Sequence, residues 1–166
     1  MRSFGLFVVA VLTAVLFAYP ATANAASVVA TINGGGTAIM DPSQSVLGLA
    51  GTTSFGIHAT LYSDGSATGG PAKGHINCID QMGSTLPGNI FGEVTGWTGD
   101  LDGGPITLNV VGKLVNIPGG HPVDVTFSVT ILHFGGAGVG QWTLSVFGFT
   151  ACFETLLSGQ VVMRRS

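Results

Sequence analysis

Charged side chains are scarce in this sequence of 166 residues: they make up 8% of the chain, with five bases and eight acids. A typical soluble domain has about 25%. All eight acids lie beyond residue 25, but only four bases do, so this part carries a net charge of −4. Nucleic acids and anionic lipid surfaces are bound by clustered lysines and arginines. The composition therefore argues against both partners.

Long apolar runs are also missing, apart from residues 4–18, which fall short of the roughly 20 residues of a membrane-spanning helix. Arg2 precedes this run, and Pro20 and several small residues follow it. This is the layout of a secretory signal peptide. Small-x-small cleavage motifs end at Ala23 and Ala25, and the second lies nearest to the first strand-like segment. We predict cleavage after Ala25, secretion to the exterior or cell envelope, and a mature chain without a membrane span.

The chain beyond residue 25 lacks any segment with the period of an amphipathic helix. Apolar residues instead alternate with polar ones, most clearly in VDVTFSVTI at residues 123–131, as in strands with one buried face. Turns rich in glycine and proline separate these runs. The pattern predicts one all-β domain over residues 26–166, either an antiparallel β-sandwich or a small closed barrel of about seven to nine strands.

Two segments depart from simple alternation. In residues 106–117 the adjacent Val110 and Val111 disturb the phase, which predicts a β-bulge near Gly112. Residues 141–154 are partly apolar on both faces. This second pattern predicts a central strand.

The residues from 53 to 80 alternate, break at a run of turn-forming residues and alternate again, which predicts a hairpin. His58 and His75 then lie at similar heights on neighbouring strands. Two imidazoles can share zinc or copper, but a catalytic zinc usually needs a third protein ligand. Asp80 falls on the opposite face of a regular strand. We predict that the histidines are neighbours but not ligands, with metal binding as the alternative.

The same region resembles the post-COAP domain, a family of small secreted bacterial and archaeal β modules. The resemblance covers about residues 30–134. It is carried by the ordered set Gly34-Gly35-Gly36, Ser54-Phe55-Gly56-Ile57, Asp64-Gly65-Ser66 and Gly74-His75-Ile76-Asn77 with Asp80. Cys78 departs from the family pattern, which more often has an aromatic residue there. The resemblance implies a secreted, β-rich module and supplies no catalytic residues.

Asp100 and Asp102 stand close together in a glycine-rich loop. Alternate aspartates can contribute oxygen ligands to Ca²⁺, but the loop lacks the later ligands of an EF-hand. The other interpretation is a turn stabilised by an aspartate side chain, and we favour it.

Cysteine is scarcer than charge, with Cys78 and Cys152 the two in the chain. Both lie in predicted strands. An exported protein meets an oxidising compartment, so we predict a disulfide between them. Two buried free thiols are the alternative.

The common catalytic motifs are absent from the sequence: it contains no Gly-x-Ser-x-Gly, His-Glu-x-x-His, P-loop or dinucleotide-binding fingerprint. We predict a secreted, non-catalytic β module that acts by surface contact, without a cofactor. A metal-dependent hydrolase that uses His58, His75 and the acids is a less favoured hypothesis. The main alternative is a barrel that binds a small apolar ligand. Its candidate lining residues are Phe127, Phe134, Trp142, Phe147 and Phe149.

Overall fold

The computed structural model describes residues 26–81, 87–116 and 120–166, so the predicted signal peptide and its cleavage site lie outside the described residues. The described residues form nine strands and a short 3-10 helix, Pro42–Gln44. None of the helical structure in these ranges is long and apolar enough to cross a membrane. The strands are β1 (Ser27–Met40), β2 (Thr52–Ser63), β3 (Gly69–Asp80), β4 (Gly88–Gly99), β5 (Ile106–Asn116), β6 (Val123–His133), β7 (Gly135–Gly136), β8 (Gln141–Val146) and β9 (Phe149–Arg165).

Eight of these strands close into an antiparallel barrel. Strands β1 to β6 pair in chain order, β8 pairs with β6 and with β9, and β9 returns to pair with β1. The two-residue β7 adds to the sheet beside β9. The predicted all-β fold is confirmed. Pairing of β1 with β9 makes it a barrel and not an open sandwich, because it leaves neither strand with a free edge.

Alternating side chains fill one end of the barrel. In β6, Val125, Phe127, Val129 and Ile131 are buried, while the residues between them face outward. Each large apolar side chain removed from water contributes about 1.5–3 kcal/mol of stability. The most completely buried large apolar side chains are Trp97, Trp142, Ile32, Leu61, Ile106, Leu108, Ile131 and Leu156. Packing is therefore complete near the end where β1 begins and β9 finishes.

The prediction of one central strand over residues 141–154 is wrong. The chain turns at Phe147 and Gly148, whose φ angles are 52° and 81°, so β8 and β9 form a hairpin. Positive φ at both central residues is the pattern of a type I′ turn, which usually carries Asn-Gly or Asp-Gly. The sequence signal was missed because a phenylalanine occupies the position of the usual asparagine.

The predicted bulge near Gly112 is also wrong. Strand β5 keeps its alternation, since Val110 is buried and Val111 is exposed. The irregularity in this ladder lies on the partner strand, between Val94 and Gly96 of β4. Adjacent valines thus occupy opposite faces of a regular strand.

Candidate functional site

A cavity of about 400 Å³ opens at the end of the barrel opposite the packed core. Its walls are mostly aliphatic, and the side chains that define them include Leu49, Ile90, Leu114, Leu144, Val146 and Ala151. Sites for small molecules usually have volumes of about 300–1,000 Å³ and are mainly apolar. The cavity has the size and chemistry of such a site.

Exposed apolar side chains surround the mouth of this cavity. Val46 and Leu47, from the segment between β1 and β2, are 68% and 62% exposed. Phe147 and Phe149, from the β8–β9 turn, are 81% and 64% exposed. Phe147 also adopts the left-handed conformation, which is strained for a bulky residue. Clustered exposed apolar groups and local strain are both typical of binding sites.

The segment between β1 and β2 is hydrogen-bonded to the first residues of β9. The Asp41 amide donates a hydrogen bond to the Phe153 carbonyl at 2.9 Å, and the Val46 amide donates one to the Thr150 carbonyl at 3.1 Å. The Ser45 hydroxyl donates to the carbonyl of Ala151, a residue of the cavity wall. These bonds hold Val46 and Leu47 at the mouth of the cavity.

A buried carboxyl group, Glu154, lies next to the cavity wall and has no solvent exposure. The Thr53 hydroxyl donates a hydrogen bond to Glu154 Oε2. The Cys152 thiol lies 3.1 Å from Glu154 Oε1, and the Cys78 thiol lies 3.9 Å from the same atom. Burial raises the pKa of Glu154 to about 7, although the hydrogen bonds from Thr53 and the thiols oppose this shift. The group therefore titrates near neutral pH.

A second acid, Asp80, lies directly on the cavity wall at the end of β3. It faces inward like Cys78, two residues before it, whereas His75 faces outward, as the alternation of a regular strand requires. Burial raises the pKa of Asp80 to about 6. The cavity thus combines apolar walls with one carboxyl group.

Both cysteines are buried and line the cavity as free thiols, so the predicted disulfide is not formed in this structure. Burial and the neighbouring Glu154 raise the pKa of Cys78 and that of Cys152 far above the ordinary value. The thiolate is the reactive form of cysteine. As thiols, the two side chains serve here as small apolar wall groups and as donors to Glu154. The bridge between them stays a prediction.

The histidines lie on the outer surface of the barrel, away from the cavity. His58 and His75 are directly opposite each other on β2 and β3, with ring centroids 5.8 Å apart, which confirms that they are neighbours. His58 Nδ1 lies 2.7 Å from Asn33 Oδ1. Within the described ranges no group of three or more His, Cys, Asp or Glu side chains is arranged to hold a metal ion. That the two histidines are not ligands stays a prediction.

The loop with Asp100 and Asp102 lies at the opposite end of the barrel from the cavity. The Asp102 amide donates a hydrogen bond to Asp100 Oδ1 at 2.8 Å, which confirms the turn stabilised by an aspartate side chain. Asp102 also forms an ion pair with Arg165 near the end of β9. Both interactions are those of a structural turn.

Of the five aromatic residues predicted to line a ligand site, Phe147 and Phe149 do so. Phe127, Phe134 and Trp142 are not part of the cavity wall. Trp142, for example, packs in the core, with its ring centroid 5.5 Å from that of Phe55. Glu154 was not singled out as a site residue from the sequence, although an acid two positions after Cys152 in an apolar strand indicates an inward-facing charge.

No family model, curated protein or solved structure matches this chain. The resemblance to the post-COAP domain therefore stays a prediction that rests on its ordered motifs. The geometry of the cavity is the observation from which a function can be inferred.

Proposed function

We propose that this protein binds a small, mainly apolar molecule in the open end of its barrel. The main support for this proposal is the cavity of about 400 Å³, because its walls are aliphatic and its rim is formed by exposed apolar side chains. The strained conformation of Phe147 supports it further, since strain in a folded protein is often kept for function. Hydrophobic burial of the ligand supplies the binding energy.

Binding without catalysis is the form of this function that we favour. The two thiols on the wall are poor nucleophiles, because their raised pKa values keep them protonated. Glu154 is fully buried behind the wall, where its oxygens are occupied by Thr53 and the thiols. The hypothesis of a module that acts by surface contact stays a prediction beside this one.

A substitution that fills the cavity tests the proposal. Val146 lines the cavity, and Ser145, its neighbour on β8, lies on the other face of the strand. We expect the uncharged fluorescent probe N-phenyl-1-naphthylamine to bind the wild-type protein and to bind Val146→Trp at least about ten-fold more weakly, because the indole occupies its space. The measurement is a fluorescence titration with the purified chain from residue 26.

Ser145→Trp is the matched control, since it adds the same side chain outside the barrel. We expect its affinity for the probe to stay within about two-fold of the wild type. Circular dichroism and thermal unfolding establish that each variant is folded. Absence of probe binding to the wild type, or equal binding to a folded Val146→Trp, would contradict the proposal.

We also propose that the chain is exported, is cleaved after Ala25, and forms the Cys78–Cys152 disulfide in its oxidising destination. Both thiols reach the same Glu154 oxygen from strands far apart in sequence. A bridge there would close a loop of about 75 residues, which the chain-entropy model values at roughly 4 kcal/mol.

We expect the intact mass of the exported protein to be that of a chain that begins at Ala26. On reduction, this mass should increase by that of two hydrogen atoms. Cys78→Ser is the control, because it removes the bridge and leaves one thiol for alkylation. The exported protein is quenched with acid and unfolded before it is alkylated. Alkylation of both cysteines without prior reduction would rule out the bridge.

A further inference from the structure

We propose that the ligand of this cavity is an amphiphilic amine, with a protonated amino group that pairs with Asp80 and an apolar body that fills the remaining space. This inference rests on the proposed function. It adds the chemical class of the ligand, which the apolar walls alone do not specify.

The carboxyl group of Asp80 has no counter-charge among the residues that the structure describes. Its side chain lines the cavity, and it forms no hydrogen bond or ion pair with any described residue. Buried charges in proteins are normally paired, and Asp80 is partly buried. The ladder positions beside Asp80 are occupied by Thr53 and Gly88, which carry no charge. No described residue supplies a partner for this carboxylate, and a cationic ligand would supply one.

The basic residues of the described chain are placed elsewhere. Lys113 forms an ion pair with Asp124 on the outer surface, at 2.6 Å. Arg165 pairs with Asp102 at the opposite end of the barrel, and no base lines the cavity among the described residues. The charges of the site are thus those of Asp80 and, behind the wall, Glu154. Such a site attracts a cation and repels a fatty acid or other carboxylate.

The position of Asp80 also suits an amphiphile. It is the last residue of β3, one inward-facing position closer to the mouth than Cys78. An amino group paired with it lies near solvent, while an apolar tail reaches the deeper side chains Ile90 and Leu144. An ion pair in such apolar surroundings is stronger than one in water. The pKa of Asp80 is raised by burial, as expected for a carboxylate with no positive charge beside it.

Three probes that each contain ten carbon atoms test the inference: 1-aminodecane, 1-decanol and decanoate, each below its solubility limit and below any critical micelle concentration. Their affinities are measured by displacement of N-phenyl-1-naphthylamine at about pH 7.5, where Asp80 is mostly ionised and the amine is protonated. We expect the amine to bind about ten-fold more tightly than the alcohol, and decanoate to bind most weakly.

Two variants connect this preference to Asp80. In Asp80→Asn we expect the advantage of the amine over the alcohol to fall to about two-fold or less. Asp64→Asn removes the same charge from an exposed loop at the opposite end of the barrel, and we expect it to keep the full preference.

The outcomes separate this inference from the function on which it rests. Equal binding of the three probes, tightest binding of decanoate, or an amine preference that survives in Asp80→Asn would overturn the amine while leaving apolar-ligand binding intact. Failure of the wild type to bind either the fluorescent probe or decanol would overturn both.

Discussion

Raising the pH from about 5 to about 8 should lower the free energy of unfolding of the reduced protein by about 3 kcal/mol, mainly through Glu154. The pKa of this carboxyl is about 7 in the folded protein, against an ordinary value of 4.5. Between these values the folded state holds a proton that the unfolded state has released. Stability therefore falls as the pH rises through this window and levels off above it.

The groups around Glu154 determine the direction of this effect. Thr53 and the thiols of Cys78 and Cys152 donate hydrogen bonds to it, which favour the ionised form, and Asp80 disfavours that form by charge repulsion. Burial outweighs the hydrogen bonds. Asp80, with its own raised pKa of about 6, changes stability in the same direction but is partly hydrated.

Glu154→Gln is the variant that isolates this effect. The amide cannot ionise, and its oxygen can still accept the hydrogen bond from Thr53. Urea unfolding across the pH range, with a reductant present, should show the larger part of the pH dependence lost in this variant. A wild type with no decrease in stability between about pH 5 and pH 8, or a variant that retains the full decrease, would show that Glu154 titrates normally.

Gly112→Ala should lower the free energy of unfolding by about 3 kcal/mol, because β4 and β5 approach too closely there to admit a side chain. A Cβ atom at Gly112 would lie 1.9 Å from the carbonyl oxygen of Phe91 and 2.6 Å from the Cα of Gly92. Gly92 is the direct ladder partner of Gly112. Paired glycines allow neighbouring strands to bend sharply, as a small barrel requires.

Gly96→Ala is the control on the same strand pair. Its Cβ would lie 3.4 Å from the nearest atom, the carbonyl oxygen of Gly70, which is an ordinary contact. We expect this variant to stay within about 1 kcal/mol of the wild type in urea unfolding at neutral pH. Similar losses in both variants would mean that glycine flexibility, and not the close approach of the backbones, is what the barrel needs at these positions.

Local patterns in the sequence were sufficient to predict several of the strands and one hairpin. Alternation identified the buried face of β6, and the turn residues between β2 and β3 placed His58 opposite His75. These features depend on contacts between residues close in the chain, which periodicity and turn chemistry report directly. The β8–β9 turn was missed because Phe147 and Gly148 do not have the usual turn composition.

The tertiary structure alone decided that the sheet closes and encloses a cavity. Closure depends on pairing of β1 with β9, the first and last strands, and a period of two specifies which face is buried without specifying which strands meet. The interior of the barrel likewise brings Glu154 of β9 next to Thr53 and Cys78 of the distant β2–β3 hairpin. The shifted pKa of Glu154 and the unpaired carboxyl of Asp80 follow from that enclosure, because desolvation is a property of the closed barrel and not of any one strand.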